Sequence, residues 1–489
     1  MVLVSPQSTV DDRSTFDLVV AANRLPVDRV VDDDGTSTWQ TSPGGLVTAM
    51  DSVMEGREAA WVGWAGDPGE SIEPFARDGV RLQPLALSAD EIRDYYEGFC
   101  NGTLWPLYHD VIVQPHYRRS WWAAYRRINQ RFAEAIVEVA AHGATVWVHD
   151  YQLQLVPALL RDLRPDLRIG WFNHIPFPSV ELFGQLPWRA SVLRGLLGAD
   201  FLGFQRATDA GNFARACHQL LGATRTGDVV SWDGADDDRS GVPRRVRVAA
   251  VPISIDFTSL DQLARTSAVR ERAREIRASL GNPETVLLGI DRLDYTKGIR
   301  HRLRAYSELL ADGDVTPTQA TLLQIATPSR ERVSAYRELR AQIDAQVGRI
   351  NGDHSVIGAA AVEYLHHSYP KEEMAALFLA ADVLLVTPLR DGMNLVAKEY
   401  VASRWDGGGA LVLSEFTGAA HELSSAFLCN PHDIAGLKRT ILEAMHEHPA
   451  AKRKRMLALR RRVRSNDVFA WARKYLAALE AAPAKPGAS

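Results

Sequence analysis

The sequence predicts an α/β protein made of two doubly wound parallel sheets in tandem. Short apolar, β-branched runs alternate with amphipathic helical stretches. The runs are continuously apolar, as strands covered on both faces must be. They also fall into two series separated by a polar excursion. The first series comprises DLVVAA (17–22), TVWV (145–148), RIGWF (168–172), DFLGF (200–204) and RVRVAAV (245–251). The second comprises TVLLGI (285–290), TLLQIA (321–326), DVLLVT (382–387), ALVLS (410–414) and AFLC (426–429). Between them TGDVVSWDGADDDRSG (226–241) reads as a surface loop, rich in glycine and aspartate. The boundary falls near VPISIDF (251–257), giving a first domain of 1–255 and a second of 256–465. No solenoid period is visible. The tail APAKPGAS (482–489) is expected to be disordered.

Composition excludes several function classes. With 489 residues the chain exceeds one ordinary core. It is 46% apolar and 24% charged, as soluble proteins are. A net charge of −4 and a pI near 6.4 argue against nucleic-acid binding. The basic run KRKRMLALRRRVR (452–464) reads as a solvated helix face. No apolar run reaches the ~18 residues that span a bilayer, and the start MVLVSPQSTVDDR lacks signal-peptide character. Cys100, Cys217 and Cys429 are far apart and without metal spacing, so buried thiols in a reducing cytoplasm are expected.

The residues that follow the strands point to chemistry. Asn23-Arg24, His149-Asp150, Asn173-His174 and Asp291-Arg292 each end a strand, as do TPSR (327–330) and PLRDG (388–392). Open α/β sheets bind ligands at the carboxyl ends of their strands. Two sheets with such ends facing each other would enclose one interdomain cleft.

In DRLDYTKG (291–298), Arg292 and Lys297 share one loop at a helix N-terminus. A planar fork, a mobile point charge and free N–H groups together suit a diphosphate. In PLRDGMNLVAKEYV (388–401), Asp391-Gly392 turn into a helix starting near Asn394, and Glu399 can accept from a vicinal diol. TSPGGL (41–46) puts a glycine pair before a helix, where the backbone can approach a phosphate. Trp64, Tyr96, Trp105 and Arg330 suit a sugar phosphate, although spacing alone does not separate them from core residues. The DDDGT stretch (32–36) matches an aspartyl-phosphate pattern but lacks a buried strand before it, so a hairpin turn is expected there. His366-His367 and the HEH at 446–448 lack zinc spacing and are expected on the surface.

In order and spacing, NRLP, SPGGL, LWP, HDYQL, NHIPFP, DRLDYTKG and LRDGMNLVAKEYV resemble the trehalose-6-phosphate synthase family of nucleotide-sugar glycosyltransferases over about residues 17–475. The resemblance implies a GT-B fold of two Rossmann-like domains, with a last helix near 466–480 crossing back onto the first. It implies a retaining transfer of glucose from ADP-glucose or UDP-glucose to glucose 6-phosphate, giving α,α-trehalose 6-phosphate without a metal or other cofactor. Arg24, Tyr96, Trp105 and Arg330 would hold the acceptor phosphate, Asp150 the acceptor hydroxyls, and Trp64 would line the same pocket. His174 and Asp391 would bond the donor glucose. Arg292, Lys297 and the Gly45 backbone would bind the diphosphate, Glu399 the ribose, and the main chain of Asn394 and Leu395 the nucleotide. Asp150, His174, Arg292, Lys297 and Asp391 are the expected catalytic set. Gln152 stands where many relatives have histidine. A homo-oligomer is expected, with no nucleic-acid or membrane partner and a separate phosphatase acting on the product. A glycerol 3-phosphate acceptor and an inactive regulatory homologue are the alternatives; the retained cations weigh against the second.

Overall fold

Apolar runs that can leave neither face in water fold as inner strands. The computed structural model describes residues 15–31, 37–42, 58–69, 71–234 and 243–482, with Val47, Met50 and Met54. It divides into two units, Met1–Pro252 with Trp471–Ser489, and Ile253–Ala470.

The first unit carries β1 (Phe16–Arg24), β2 (Val27–Val31), β3 (Ser37–Thr41), β4 (Ala59–Trp64), β5 (Phe75–Arg77) and β6 (Val80–Pro84). It continues with β7 (Ala140–His149), β8 (Arg168–Phe172), β9 (Phe201–Phe204), β10 (Thr224–Thr226), β11 (Val229–Trp232) and β12 (Arg244–Ala250). One sheet has the order β10-β11-β12-β9-β8-β7-β1-β4-β6-β5. From β12 to β6 it is parallel, and antiparallel β5 and the β10–β11 hairpin close its edges. Successive strands leave β1 in one direction as β4 and β6, and in the other as β7, β8 and β9. The order therefore reverses between β1 and β7, and the crevice of such a sheet opens at that switch point.

The last helix, Val468–Glu480, belongs to this unit from Trp471 onward. Tyr475 is fully buried and stacks on Trp147, ring centroids 4.1 Å apart and planes at 7°. Gly170 in β8 and Gly203 in β9 make the room: a Cβ on either would lie 2.6 or 2.7 Å from the Tyr475 ring or hydroxyl.

The second unit carries β13 (Thr285–Arg292), β14 (Ala320–Thr327), β15 (Val362–Leu365), β16 (Val383–Val386), β17 (Ala410–Ser414) and β18 (Phe427–Cys429). All pair in parallel in the order β15-β14-β13-β16-β17-β18, with the switch point between β13 and β16. Leu287, Leu303, Leu322, Leu385 and Val412 form its core between sheet and helices.

Some expectations need correction. The stretch 226–241 is not wholly loop, because β11 lies within it. Val230 and Trp232 of that strand point inward and are buried, and Gly227 at φ +63 makes the turn. His366 is not a surface residue: its Nδ1 lies 2.8 Å from the Ala326 carbonyl oxygen, whereas His367, His446 and His448 are exposed. Strands β2 and β3 form a separate antiparallel ribbon with Val31 opposite Ser37. The 32–36 connection, Gly45, residues 235–242 and the tail from 483 lie outside the described residues. The three cysteines are buried and none is in a disulfide. Among the described residues no helix is long and apolar enough to cross a membrane.

Candidate functional site

In the first unit the anticipated residues gather at the carboxyl ends of the strands flanking the switch point. Arg24 closes β1 opposite Trp64 at the end of β4. Its guanidinium lies 5.1 Å from the Trp64 ring centroid and 2.8 Å from Asp28. Gly66, at φ +115, lies against that guanidinium, and a Cβ there would come within 2.4 Å of it. Tyr96 meets the same indole edge-on at 5.9 Å. It stands in a π-helical stretch, Ile92–Leu104, whose Gly98 and Gly102 lie against the Trp121 ring. The adjacent Tyr95 turns the other way, fully buried, and donates to Asn23 Oδ1 at 2.9 Å. Arg24, Trp64 and Tyr96 thus form one cationic, aromatic cluster. Trp105 is not part of it: its ring is buried against His109 and Tyr151, at 4.1 and 5.7 Å.

Asp150 and His174 are brought together past β7 and β8. Asp150 Oδ1 accepts from the His174 backbone N–H at 3.1 Å, and the Asp150 carbonyl accepts from the Trp171 indole. Asp150 has φ +73, Arg330 φ +51 and Asn394 φ +75. Non-glycine residues at positive φ cost about 1–3 kcal/mol and gather at functional sites. Here three anticipated site residues carry that strain.

In the second unit the loops after β13 and β16 converge. Lys297 Nζ donates to Asp391 Oδ2 at 2.6 Å, with both side chains largely buried. Asn394 Nδ2 donates to the same oxygen at 3.1 Å, while Asn394 Oδ1 caps the helix Leu395–Ser403 by accepting from Ala397 N–H. The loops fit because Gly298, at φ +67, leaves space a Cβ would deny: it would lie 2.0 Å from the Thr387 carbonyl oxygen. Leu389 N–H bonds the Thr296 carbonyl at 2.7 Å. Arg292 ends β13, exposed beside this pair.

Arg330 is tied back by Asp294 and by the Tyr336 hydroxyl, at 3.3 and 2.5 Å. Burial pushes the Asp294 carboxyl up, but Arg330 and Arg292 outweigh it and hold the group below the usual range. Glu399 stands apart on the capped helix. Burial pushes its carboxyl up to about 7, against a smaller opposing effect of Lys371. Its neighbour Lys398 turns inward, 2.8 Å from both Glu422 and the Ile253 carbonyl, and holds the core instead.

Sequence reasoning passed over Asp294 and Tyr336, and marked His149 only as a strand end. The first lies inside DRLDYTKG and the third inside HDYQL, so the motifs contained them. Their partners, 42 residues away for Asp294 and 25 for His149, did not show. Among the described residues no cluster of three His, Cys, Asp or Glu side chains is arranged for a metal ion.

Comparison with known proteins matches residues 17–481 to the family model described as glycosyltransferase family 20. The trehalose-6-phosphate synthase of Mycolicibacterium gilvum (strain PYR-GCK) is 57% identical over 470 residues, 95% of this chain and 93% of that protein. The solved α,α-trehalose-phosphate synthase (UDP-forming) from Burkholderia xenovorans, in complex with glucose-6-phosphate, is 32% identical with TM-score 0.85, covering 95% of this chain and 99% of that one. A trehalose-6-phosphate synthase solved with bisubstrate glycomimetics, in work on glycosyltransfer with retention, is 30% identical with TM-score 0.85 and covers 95% and 99%.

Proposed function

The chain belongs to glycosyltransferase family 20, and on that ground we propose that it transfers glucose from a nucleoside-diphosphate glucose to glucose 6-phosphate with retention, forming α,α-trehalose 6-phosphate. UDP-glucose is the favoured donor, because the Burkholderia xenovorans relative is UDP-forming. The observation that carries the reading is the Lys297–Asp391–Asn394 constellation, a buried cation and carboxylate locked together at a switch point. Such a pair offers one charge to a diphosphate and one acceptor to a sugar hydroxyl without reorganisation.

Each role is the one that the resemblance implies, and the chemistry of the side chain suits it. Arg24, with Tyr96 beside it on the Trp64 ring, provides charge and a hydroxyl for the acceptor phosphate. Trp105 and Arg330 are assigned to the same phosphate by resemblance. Asp150 takes acceptor hydroxyls, and His174 and Asp391 take those of the donor glucose. Glu399 takes the ribose, Arg292, Lys297 and the Gly45 backbone the diphosphate, and the Asn394 and Leu395 main chain the nucleotide. By resemblance the first unit corresponds to the acceptor domain and the second to the donor domain, although Gly45 and His174 of the first serve the donor and Arg330 of the second the acceptor.

As the anomeric C–O bond breaks, the sugar becomes oxocarbenium-like and negative charge grows on the leaving diphosphate. Arg292 and Lys297 stabilise that charge, so protein groups do the work a metal does elsewhere. With Asp150 and Asp391 occupied by sugar hydroxyls, neither of these carboxylates is left to attack the anomeric carbon. The acceptor hydroxyl attacks from the leaving-group side and passes its proton to a diphosphate oxygen. Isolation of a covalent glucosyl-enzyme would overturn this step.

Nucleoside diphosphate release should be measured from UDP-glucose and ADP-glucose, with glucose 6-phosphate or glycerol 3-phosphate. Release that requires glucose 6-phosphate is expected. Release with glycerol 3-phosphate alone would replace the acceptor, and no release would remove the activity.

A further inference from the structure

His149 ends β7 one residue before Asp150, and the reaction described above gives it no task. Its ring is 1% exposed, between Trp147 and Phe172 at 5.0 and 6.5 Å. Its Nδ1 lies 3.1 Å from Nε2 of His174, the rings 29° apart in plane. Two imidazole nitrogens can bond only if one carries hydrogen and the other is bare. Burial pushes the His174 ring down to about 3, and burial with the adjacent His174 pushes His149 well below its usual range. Both rings are therefore neutral at physiological pH, and a single hydrogen lies between them.

The far nitrogen of His149 decides which ring donates. His149 Nε2 is buried, and no described residue bonds it. A hydrogen on that atom would leave an N–H unbonded in the core, and orphaned buried donors are rarer than under-used acceptors. The hydrogen therefore sits on His149 Nδ1 and is donated to His174 Nε2. His174 Nε2 is then bare, and its own hydrogen must sit on Nδ1. The His174 backbone is fixed as well, through its N–H to Asp150.

We propose that His149 is a positioning residue that locks His174 in one orientation and in the Nδ1–H tautomer, so that His174 presents a single N–H donor to a hydroxyl of the donor glucose. The tautomer rests on the ring geometry and on the neutrality of both rings; the sugar contact rests on the function proposed above.

Two measurements test this on the full chain. In protein carrying 15N-histidine, with His174 assigned by difference against His174→Gln, the free enzyme should show His174 protonated at Nδ1 and bare at Nε2. Hydrogen at Nε2 would overturn the proposal whatever the reaction. The second measurement is binding of UDP-glucose and of UDP alone to His149→Phe, which keeps the ring volume and loses the donor. Partners that orient metal-ligating histidines contribute about 10–100-fold, and the same scale is expected for this pair. UDP-glucose should weaken by about tenfold or more while UDP stays within about twofold. His149→Asn, whose amide N–H falls near the Nδ1 position, should recover part of the loss, and His149→Gln should not. Equal loss of both ligands would assign His149 to the fold and overturn the proposal, as would unchanged UDP-glucose affinity. Wild-type protein that binds UDP but not UDP-glucose would overturn the sugar contact and the function reading together, leaving the tautomer to the spectrum.

Discussion

Lys297 and Asp391 hold one another with both side chains largely buried, so removing either breaks a buried ion pair. For Lys297→Met, kcat should fall by about 10²–10³, the usual effect of deleting one donor aimed at developing negative charge. Steady-state rates with saturating UDP-glucose check this; a raised KM with kcat unchanged would show that Lys297 binds ground and transition states alike. Glu399 gives a pH prediction. Its carboxyl sits near 7 in the free protein because of burial. Accepting two ribose hydroxyls requires the ionised form, so the bound pKa is lower than the free one. Donor binding must then expel a proton below pH ~7, and Kd should rise about tenfold per unit as pH falls, with a plateau above 7. Calorimetric titration across pH 5.5 to 8.5 measures it, and Glu399→Gln should flatten the curve. At this scale the sequence exposes the charged ends of loops, since Arg292, Lys297 and Asp391 have little reason to follow buried strands otherwise. It hides Asp294 and Tyr336, and it hides what His149 touches, since their meaning lies in partners remote along the chain.

The apolar runs chosen from hydropathy coincide with strands of both sheets; RIGWF and ALVLS do so residue for residue. Strand β4, AAWVGW, is wholly buried yet was passed over, because alanine and glycine are poor strand formers and only its place beside β1 makes it one. Strand β11 hid for a different reason: in a hairpin that closes the sheet only one face need be apolar, and VVSW interrupts a polar stretch. The Val468–Glu480 helix gives this scale its prediction. Tyr475 fills a notch cut by two glycines and stacks on Trp147. Tyr475→Ala should destabilise the first unit by about 3–5 kcal/mol, the range for deleting a large buried aromatic. Urea unfolding followed by tryptophan fluorescence reads it, and a loss below ~1 kcal/mol would mean that the notch collapses around the vacancy.

On the scale of the whole molecule, the first unit is discontinuous in sequence: Trp471 and the residues after it complete a unit that otherwise ends at Pro252. A chain stopped after residue 465 should keep its far-ultraviolet helix and strand signal but lose near-ultraviolet tryptophan dichroism and bind a hydrophobic dye, since Trp147 would lose its cover. Unchanged near-ultraviolet dichroism would sink this. Chain-local information is enough for the α/β class, the two strand series, the loops that bear charge and the family motifs, because each is written in neighbouring residues through hydropathy period, turn chemistry and helix caps. The folded chain alone decides that β1–β7 and β13–β16 are the switch points, that Tyr475 seals the first sheet, and that the buried His149 ring lies within hydrogen-bond distance of His174. Those are pairings between distant segments, settled by which surfaces exclude water together and which buried polar atoms find a partner there.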